Sequence, residues 1–210
     1  MQIKKTPSEL KVNEITCERN NIGELTCFIR LTGCNLKCNR CNEPNALVSG
    51  VNMSLKEIIE KVKECPTKKV CVTGGEPLLQ IKVVEELVSL LFKEKKDILL
   101  ETNGTINWTG HAALKLADIK LDLKAPSSGM EKFNNYDLIK TLRRTDKISV
   151  VVQDKRDYDF VESILNFYKP VCEVVAIPCG GVYARNLWRW AEKEDRVRLE
   201  LGLKRVVFGL

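Results

Sequence analysis

The chain has 210 residues, of which 44% are hydrophobic and 30% charged, so it can bury one substantial core and we expect a single domain over residues 1–210. It lacks an apolar run of about 18 residues, and residues 1–10 lack the apolar stretch of a signal peptide, so we expect a cytoplasmic protein with no membrane span. The net charge of +6 comes from interspersed charges of both signs, which argues against a nucleic-acid partner and suits a small anionic substrate.

Short apolar runs alternate with amphipathic helical patterns, as expected for strand–helix units around a parallel sheet. The strands are predicted at residues 27–31, 69–73, 97–101, 117–123, 148–153 and 173–178. The helices are predicted near residues 54–64, 81–94, 135–144, 156–168 and 186–194. A closed eight-fold barrel usually needs roughly 250 residues, so about six units predict an α/β fold with a partial, open parallel β/α barrel.

Three cysteines, Cys34, Cys38 and Cys41, lie on a loop directly after the first predicted strand. Structural zinc almost always takes four protein ligands, and the only histidine, His111, is distant in sequence. An iron–sulfur cubane held by three cysteines leaves one iron open to another ligand. Because that iron can hold the amino and carboxylate groups of S-adenosylmethionine, the spacing predicts a 4Fe–4S cluster that passes one electron into this cofactor.

The other cysteines show no second tight pair, and reduced thiols are expected for a cytoplasmic chain of this length. Cys172 and Cys179 flank the sixth predicted strand, and we interpret them as buried thiols. The remaining cysteines are Cys17, Cys27, Cys65 and Cys71.

The second predicted strand ends in Thr73-Gly74-Gly75-Glu76-Pro77, where two glycines let the backbone approach a ligand closely. Polar residues also follow the other strands. They are Arg30 after the first, Glu101 and Asn103 after the third, Asp122 and Lys124 after the fourth, and Gln153 after the fifth. In barrels of parallel strands the active site gathers at this face, so the sequence predicts a site there.

The cysteine spacing and the Gly-Gly-Glu-Pro string resemble those of the radical S-adenosylmethionine superfamily. Beyond the superfamily, the chain resembles the 7-carboxy-7-deazaguanine synthase family over residues 28–36, 124–130, 157–160 and 196–209. The resemblance implies a lyase reaction on 6-carboxy-5,6,7,8-tetrahydropterin, with hydrogen abstraction, ring contraction and loss of ammonia. It also implies an Mg²⁺ ion, an external one-electron reductant of the flavodoxin or ferredoxin type, and a possible homodimer.

Site residues follow from the same resemblance. Arg30 and Thr73 are expected to contact the substrate, Arg30 through its planar guanidinium on a carboxylate. The residues expected on the cofactor side are Gly74, Gly75, Glu76, Glu101, Asn103, Asp122 and Lys124. The metal ligands are expected to be Cys34, Cys38 and Cys41 for the cluster and Glu43 for Mg²⁺.

The chain departs from the family pattern at three places. Residues 40–43 read Arg-Cys-Asn-Glu where the family has Trp-Cys-Asp-Thr, so Glu43 replaces the threonine that binds Mg²⁺. Glu43 is then either an Mg²⁺ ligand or an exposed loop residue. The Ser-Pro-Lys cofactor motif reads Asp-Leu-Lys at 122–124, and the Gln-Gly-Glu-Gly motif near the first strand is missing from residues 14–24.

Two alternative functions share some of these features. A radical activase, which places a radical on a glycine of a partner protein, has the same cysteine spacing, but the string at residues 124–130 argues against it. A non-catalytic iron–sulfur electron carrier would normally supply a fourth ligand and has little need for Gly74 and Gly75.

Overall fold

A computed structural model describes residues 8–179 and 181–200, with the backbone alone for residues 181–184. The described strands form one nine-stranded sheet. They are β1 Glu9–Arg19, β2 Leu25–Leu31, β3 Val51–Ser54, β4 Lys69–Gly74, β5 Asp97–Thr102, β6 Asp118–Leu123, β7 Lys147–Val152, β8 Glu173–Pro178 and β9 Val197–Leu199.

The strands lie in the order β3-β1-β2-β4-β5-β6-β7-β8-β9. Neighbours from β2 to β9 are parallel, whereas β1 is antiparallel to both β2 and β3. Over the described residues the sheet is not closed, since β3 and β9 are at its two edges. The predicted partial β/α barrel is confirmed, and its six predicted strands are β2 and β4 to β8.

The α-helices of the described residues are α1 Leu55–Glu64, α2 Ile81–Lys93, α3 Lys155–Ser163 and α4 Gly181–Ala191. Helix α1 begins with a capping box, in which the Ser54 side chain accepts from Glu57 N and the Glu57 carboxylate accepts from Ser54 N. A π-helical turn, Ile164–Tyr168, extends α3. None of the described helices has the length and apolarity needed to cross a membrane.

Two helix predictions differ from the structure. The sequence predicts a helix near residues 135–144, but only a short 3₁₀ segment forms there, Tyr136–Thr141, which buries the adjacent pair Leu138 and Ile139. Two adjacent apolar residues do not make the stripe with a period of 3.6 residues that stabilises an α-helix. Helix α4 begins at Gly181, earlier than the predicted residue 186, because glycine gives no helical signal.

The two faces of the sheet differ sharply in polarity. Along β6, Ile119, Leu121 and Leu123 are buried and belong to the hydrophobic core, in which they are clustered with residues of the outer helices. The alternate residues, Lys120 and Asp122, lie on the concave face, which we call the lumen, because side chains alternate across a strand. The period of two therefore separates an apolar core from a charged lumen.

One disulfide, between Cys17 on β1 and Cys65 at the end of α1, corrects the expectation that all cysteines are reduced thiols. Strand β1 is not among the predicted strands, so no sequence pattern placed Cys17 beside α1. The other cysteines are free, and Cys172 and Cys179 are buried as expected.

Candidate active site

The cysteine loop, residues 34–41, lies between the loops that follow β5 and β6. On one side, Asn35 Nδ2 donates to Thr105 Oγ1 at 2.7 Å. On the other side, Asn39 donates through Nδ2 to Ser127 O and through its backbone N to Ser128 O, both at 3.0 Å. These hydrogen bonds hold the loop at the carboxyl ends of the parallel strands, where the site was predicted.

Gly74 and Gly75 pack against the backbone that leads into the cysteine loop. Gly74 has φ +120°, and a Cβ there would lie 2.3 Å from Leu31 O. A Cβ on Gly75 would lie 2.1 Å from Gly33 O. The backbone N–H of Gly75 donates to Leu31 O at 3.0 Å. These glycines therefore let the end of β4 lie close to the backbone that leads into Cys34, and their contact with a ligand stays a prediction.

The three predicted cluster ligands differ in exposure, since Cys34 and Cys38 are half-buried and Cys41 is exposed. Burial raises the pKa of the Cys34 and Cys38 thiols, and the Lys124 ammonium opposes that rise. Among the residues that the structure describes, no group of three His, Cys, Asp or Glu side chains converges closely enough to hold a metal ion as it stands. The donor set nevertheless fits a cluster chemically, because three thiols share one loop and a cation favours their ionised form.

Asn103, after β5, touches the first of these cysteines. Its Nδ2 lies 3.8 Å from Cys34 Sγ and donates to Asn35 Oδ1 at 3.1 Å. The Glu76 carboxylate is fully buried behind it and accepts from Asn103 N at 2.7 Å and Thr102 Oγ1 at 2.8 Å. Burial raises the pKa of Glu76, and these hydrogen bonds oppose the rise. The structure thus gives Glu76 contacts within the protein that position Asn103.

Lys124 and Asp122 form an ion pair of 2.5 Å beside the cysteine loop. Asn134 holds the backbone at Lys124, accepting from its N–H and donating to its carbonyl, both at 2.9 Å. Asp157, fully buried on α3, accepts from Ser127 N at 3.0 Å. The loop after β6 is thereby fixed from both sides, and it holds Lys124 near the thiols.

Arg30 lies buried in the lumen at the end of β2, surrounded by carboxylates. Its Nη2 lies 2.6 Å from Glu18, its Nη1 lies 3.2 Å from Glu14, and its Nε lies 3.2 Å from Glu43. Nη1 also donates to Thr16 Oγ1 at 2.8 Å. Arg30 and Glu43 are predicted from sequence to have separate partners, and the structure brings them together as an ion pair.

A second charged group spans the lumen beside Arg30. Thr73 Oγ1 donates to Glu101 Oε2 at 2.8 Å, and Lys120 Nζ lies 3.3 Å from Glu101 Oε1. Lys120 also lies 3.8 Å from Glu200, which follows β9. Lys120 was not among the predicted site residues, although its alternation with Asp122 on β6 and Lys124 directly after it was a usable signal.

Most of the predicted site residues thus contact one another in pairs, and these pairs lie along one edge of the sheet. The structure joins Arg30 to Glu43, Thr73 to Glu101, Asp122 to Lys124 and Asn103 to Cys34. Asn35, Asn39 and Asp157, which hold the loops in place, were not foreseen as site residues.

Comparison with known proteins identifies related sequences and a related fold. Residues 28–153 match the family model described as the radical SAM superfamily. The chain is 36% identical to a 7-carboxy-7-deazaguanine synthase of Methanospirillum hungatei, over 88% of this chain and 78% of that protein. It is 31% identical to a synthase of the same name from Thermoplasma acidophilum, over 76% of each chain. The crystal structure of QueE from Escherichia coli aligns with a TM-score of 0.68 at 19% identity, covering 92% of this chain and 93% of that one.

Proposed function

The chain belongs to the radical S-adenosylmethionine superfamily and, within it, to the 7-carboxy-7-deazaguanine synthase family, and from that premise we propose that it converts 6-carboxy-5,6,7,8-tetrahydropterin to 7-carboxy-7-deazaguanine. The reaction is a carbon–nitrogen lyase reaction of 7-deazapurine biosynthesis. The observation that supports this proposal most directly is the position of the cysteine loop at the mouth of a charged lumen. Asn103 touches Cys34 at that mouth, and Glu101, two residues earlier on β5, faces the lumen.

Membership of the superfamily implies a 4Fe–4S cluster and S-adenosylmethionine, which when bound supply the one-electron chemistry that starts the reaction. In our proposal Cys34, Cys38 and Cys41 hold the cluster. The residues proposed to bind or position S-adenosylmethionine are Gly74, Gly75, Glu76, Asn103, Asp122 and Lys124. The resemblance also implies Glu101 on the cofactor side, but its carboxylate lies against Thr73 and Lys120 in the lumen, so we propose that Glu101 contacts the substrate instead. Lys124 supports this arrangement because burial raises the pKa of the Cys34 and Cys38 thiols and the Lys124 ammonium opposes that rise.

Arg30 is proposed to bind the substrate carboxylate, with Thr73 lining the same part of the lumen. A buried guanidinium is well suited to this role, because it stays charged and presents several N–H donors in one plane. Those donors now face Glu14, Glu18 and Glu43. Glu14 and Glu43 are the more exposed of the three, at 48% and 38%, so they are the partners that a substrate carboxylate would displace.

Glu43 is proposed to bind Mg²⁺, for which oxygen ligands are preferred. Its carboxylate is partly exposed and lies two residues beyond Cys41, on the side of the lumen where Arg30 would hold the substrate. If Glu43 turns toward the ion, Arg30 Nε becomes available to the substrate carboxylate. The Glu43 side chain would then have two alternative positions, one paired with Arg30 and one on the ion, and metal binding would free Arg30 for the substrate.

The proposed partners are the pterin substrate and an external one-electron reductant of the flavodoxin or ferredoxin type, and a homodimer stays a prediction. The sequence left a radical activase and an electron carrier as alternatives. Identity of 36% over 88% of the chain to a 7-carboxy-7-deazaguanine synthase supports the synthase over both.

The test is anaerobic incubation of the reconstituted protein with a reductant, S-adenosylmethionine and 6-carboxytetrahydropterin, followed by mass analysis. We expect 7-carboxy-7-deazaguanine with wild-type protein, and loss of both cluster and cofactor cleavage in Cys38→Ala. The matched control is Cys179→Ala, a buried thiol outside the cysteine loop, which should keep its iron and its activity. Cofactor cleavage without any change in the pterin would contradict the proposed substrate, and full cleavage by Cys38→Ala would contradict the cluster assignment.

A further inference from the structure

Lys120 is a buried cation to which the proposed function assigns no role. Its side chain is only 12% exposed, and it lies between Glu101 of β5 and Glu200 after β9, at 3.3 and 3.8 Å. In the sheet, β7 and β8 separate β6 from β9. The contact with Glu200 therefore crosses the lumen instead of following neighbouring strands.

The charge of Lys120 depends on these acidic partners. Burial alone would lower the pKa of Lys120, but Glu101, Glu200 and Asp122 outweigh burial and hold that pKa above its ordinary value. A buried ammonium without such partners would lose its proton or destabilise the fold. Lys120 is therefore a fixed positive charge in the lumen.

Lys120 and Thr73 together hold both oxygens of Glu101. Lys120 lies at Oε1, and Thr73 donates to Oε2 at 2.8 Å. Burial would raise the pKa of Glu101, but the charge of Lys120, with Thr73 and Arg30, keeps it below its ordinary value. A carboxylate has about four acceptor positions, so two are still available when these two are filled. The Glu101 side chain is 30% exposed, which leaves it accessible from the lumen.

We propose that Lys120 is a positioning residue that fixes the Glu101 carboxylate as an acceptor for paired N–H groups of a nitrogen heterocycle in the lumen. The inference rests on the proposed function, since the aminopyrimidinone ring of a pterin carries such paired donors. Among the described residues, Arg30 is a second cation that acts on Glu101, and without Lys120 we expect the carboxylate to turn toward it. Lys120 thereby keeps Glu101 and Arg30 apart, so that one faces the ring and the other faces the substrate carboxylate.

The first test compares Lys120→Met, which removes the charge, with Lys120→Arg, which keeps it. Substrate binding is measured by calorimetry on the reconstituted, unreduced protein with S-adenosylmethionine, alongside KM, kcat and cofactor cleavage without substrate. We expect Lys120→Met to weaken binding and raise KM by about 10- to 100-fold while cleavage without substrate stays near wild type. Lys120→Arg should recover much of the affinity. The control is Lys140→Met, which removes an exposed lysine paired with Asp137 and should change nothing.

A double-mutant cycle keeps the inference testable if Lys120→Met folds poorly. Glu101→Gln combined with Lys120→Met removes both charges of this pair, and Glu200→Gln, added to every variant of the cycle, removes the other carboxylate that Lys120 compensates. If Lys120 acts through Glu101, the double variant binds substrate no worse than Glu101→Gln alone. Additive losses would overturn the inference, as would wild-type affinity in Lys120→Met. If the wild-type protein cleaves S-adenosylmethionine but does not bind the carboxypterin, the proposed function fails and this inference fails with it.

Discussion

Two of the carboxylates that contact Arg30, those of Glu14 and Glu43, lie at equal distances from it but occupy different places in the fold. Glu14 and Glu43 each lie 3.2 Å from its guanidinium, and both are partly exposed. Only Glu43 lies beside the cysteine loop, whereas Glu14 belongs to β1. Distance to Arg30 alone therefore does not distinguish the two carboxylates, but their positions relative to the cysteine loop do.

This difference makes Glu14→Gln a matched control for Glu43→Gln. If Glu43 binds Mg²⁺, its loss should raise the Mg²⁺ concentration for half-maximal turnover by about tenfold, because an amide oxygen is a weaker ligand than a carboxylate. Cluster content and cofactor cleavage without substrate should be unchanged. Glu14→Gln removes a similar Arg30 contact and should leave the Mg²⁺ requirement at its wild-type value. Equal Mg²⁺ titration curves for the two variants would show that Glu43 is an ordinary loop residue.

At the level of elements, the end of β4 and the cysteine loop are held together backbone to backbone. Gly75 N donates to Leu31 O, and Glu76 N donates to Gly33 O at 2.8 Å. The absence of side chains at Gly74 and Gly75 allows this contact. The same contact brings Cys34 next to Asn103, so the packing of two elements determines the geometry of the site.

Gly75→Ala should therefore disturb cluster binding as well as stability. The added methyl would lie 2.1 Å from Gly33 O and 3.2 Å from Cys34 Cβ, so the loop must move. We expect a loss of about 1–3 kcal/mol in the free energy of unfolding, with lower iron content after reconstitution. Gly110→Ala is the matched control, since its methyl would meet no atom within 4 Å and should change stability by less than about 0.5 kcal/mol. Thermal melting and iron analysis measure both effects, and an iron content equal to that of Gly110→Ala would contradict this role for Gly75.

Across the whole molecule, the Cys17–Cys65 disulfide connects β1 to the outer helices. Cys65 belongs to the hydrophobic core, whereas Cys17 is exposed on a strand that also carries Glu14 and Glu18, the partners of Arg30. The bond joins residues 48 positions apart in sequence. It therefore links the strand that contacts Arg30 to the helical layer on the other face of the sheet.

Reduction of this disulfide should lower the melting temperature of the cluster-free protein. In the chain-entropy model a loop of this length contributes about 4 kcal/mol, and a chain of this size loses about 2–4 °C per kcal/mol, so we expect a fall of roughly 8–16 °C. The double variant Cys17→Ser/Cys65→Ser should melt at the temperature of the reduced wild type and should not respond to reductant. A wild-type melting temperature that is the same with and without reductant would show that the bond does not stabilise the fold.

The sequence by itself determined the features that depend on local spacing and period. The three-cysteine loop, the six parallel strands and the polar residues at their carboxyl ends could all be predicted, because alternation and motif spacing are properties of short segments. These features placed Arg30, Thr73, Glu101 and Lys124 at one edge of the sheet. They also carried the resemblance to the radical S-adenosylmethionine superfamily, which the family match confirms.

Only the tertiary structure decided which of these residues touch. The antiparallel strand β1, the Cys17–Cys65 disulfide, the pairing of Arg30 with Glu43 and the contact of Lys120 with Glu200 all join segments that are distant in sequence. No local pattern specifies such contacts, since they depend on the curvature of the sheet and on the order of its strands. A lysine inside a strand is read from sequence as a surface residue, and it becomes a buried charge only when the curved sheet brings Glu101 and Glu200 to it.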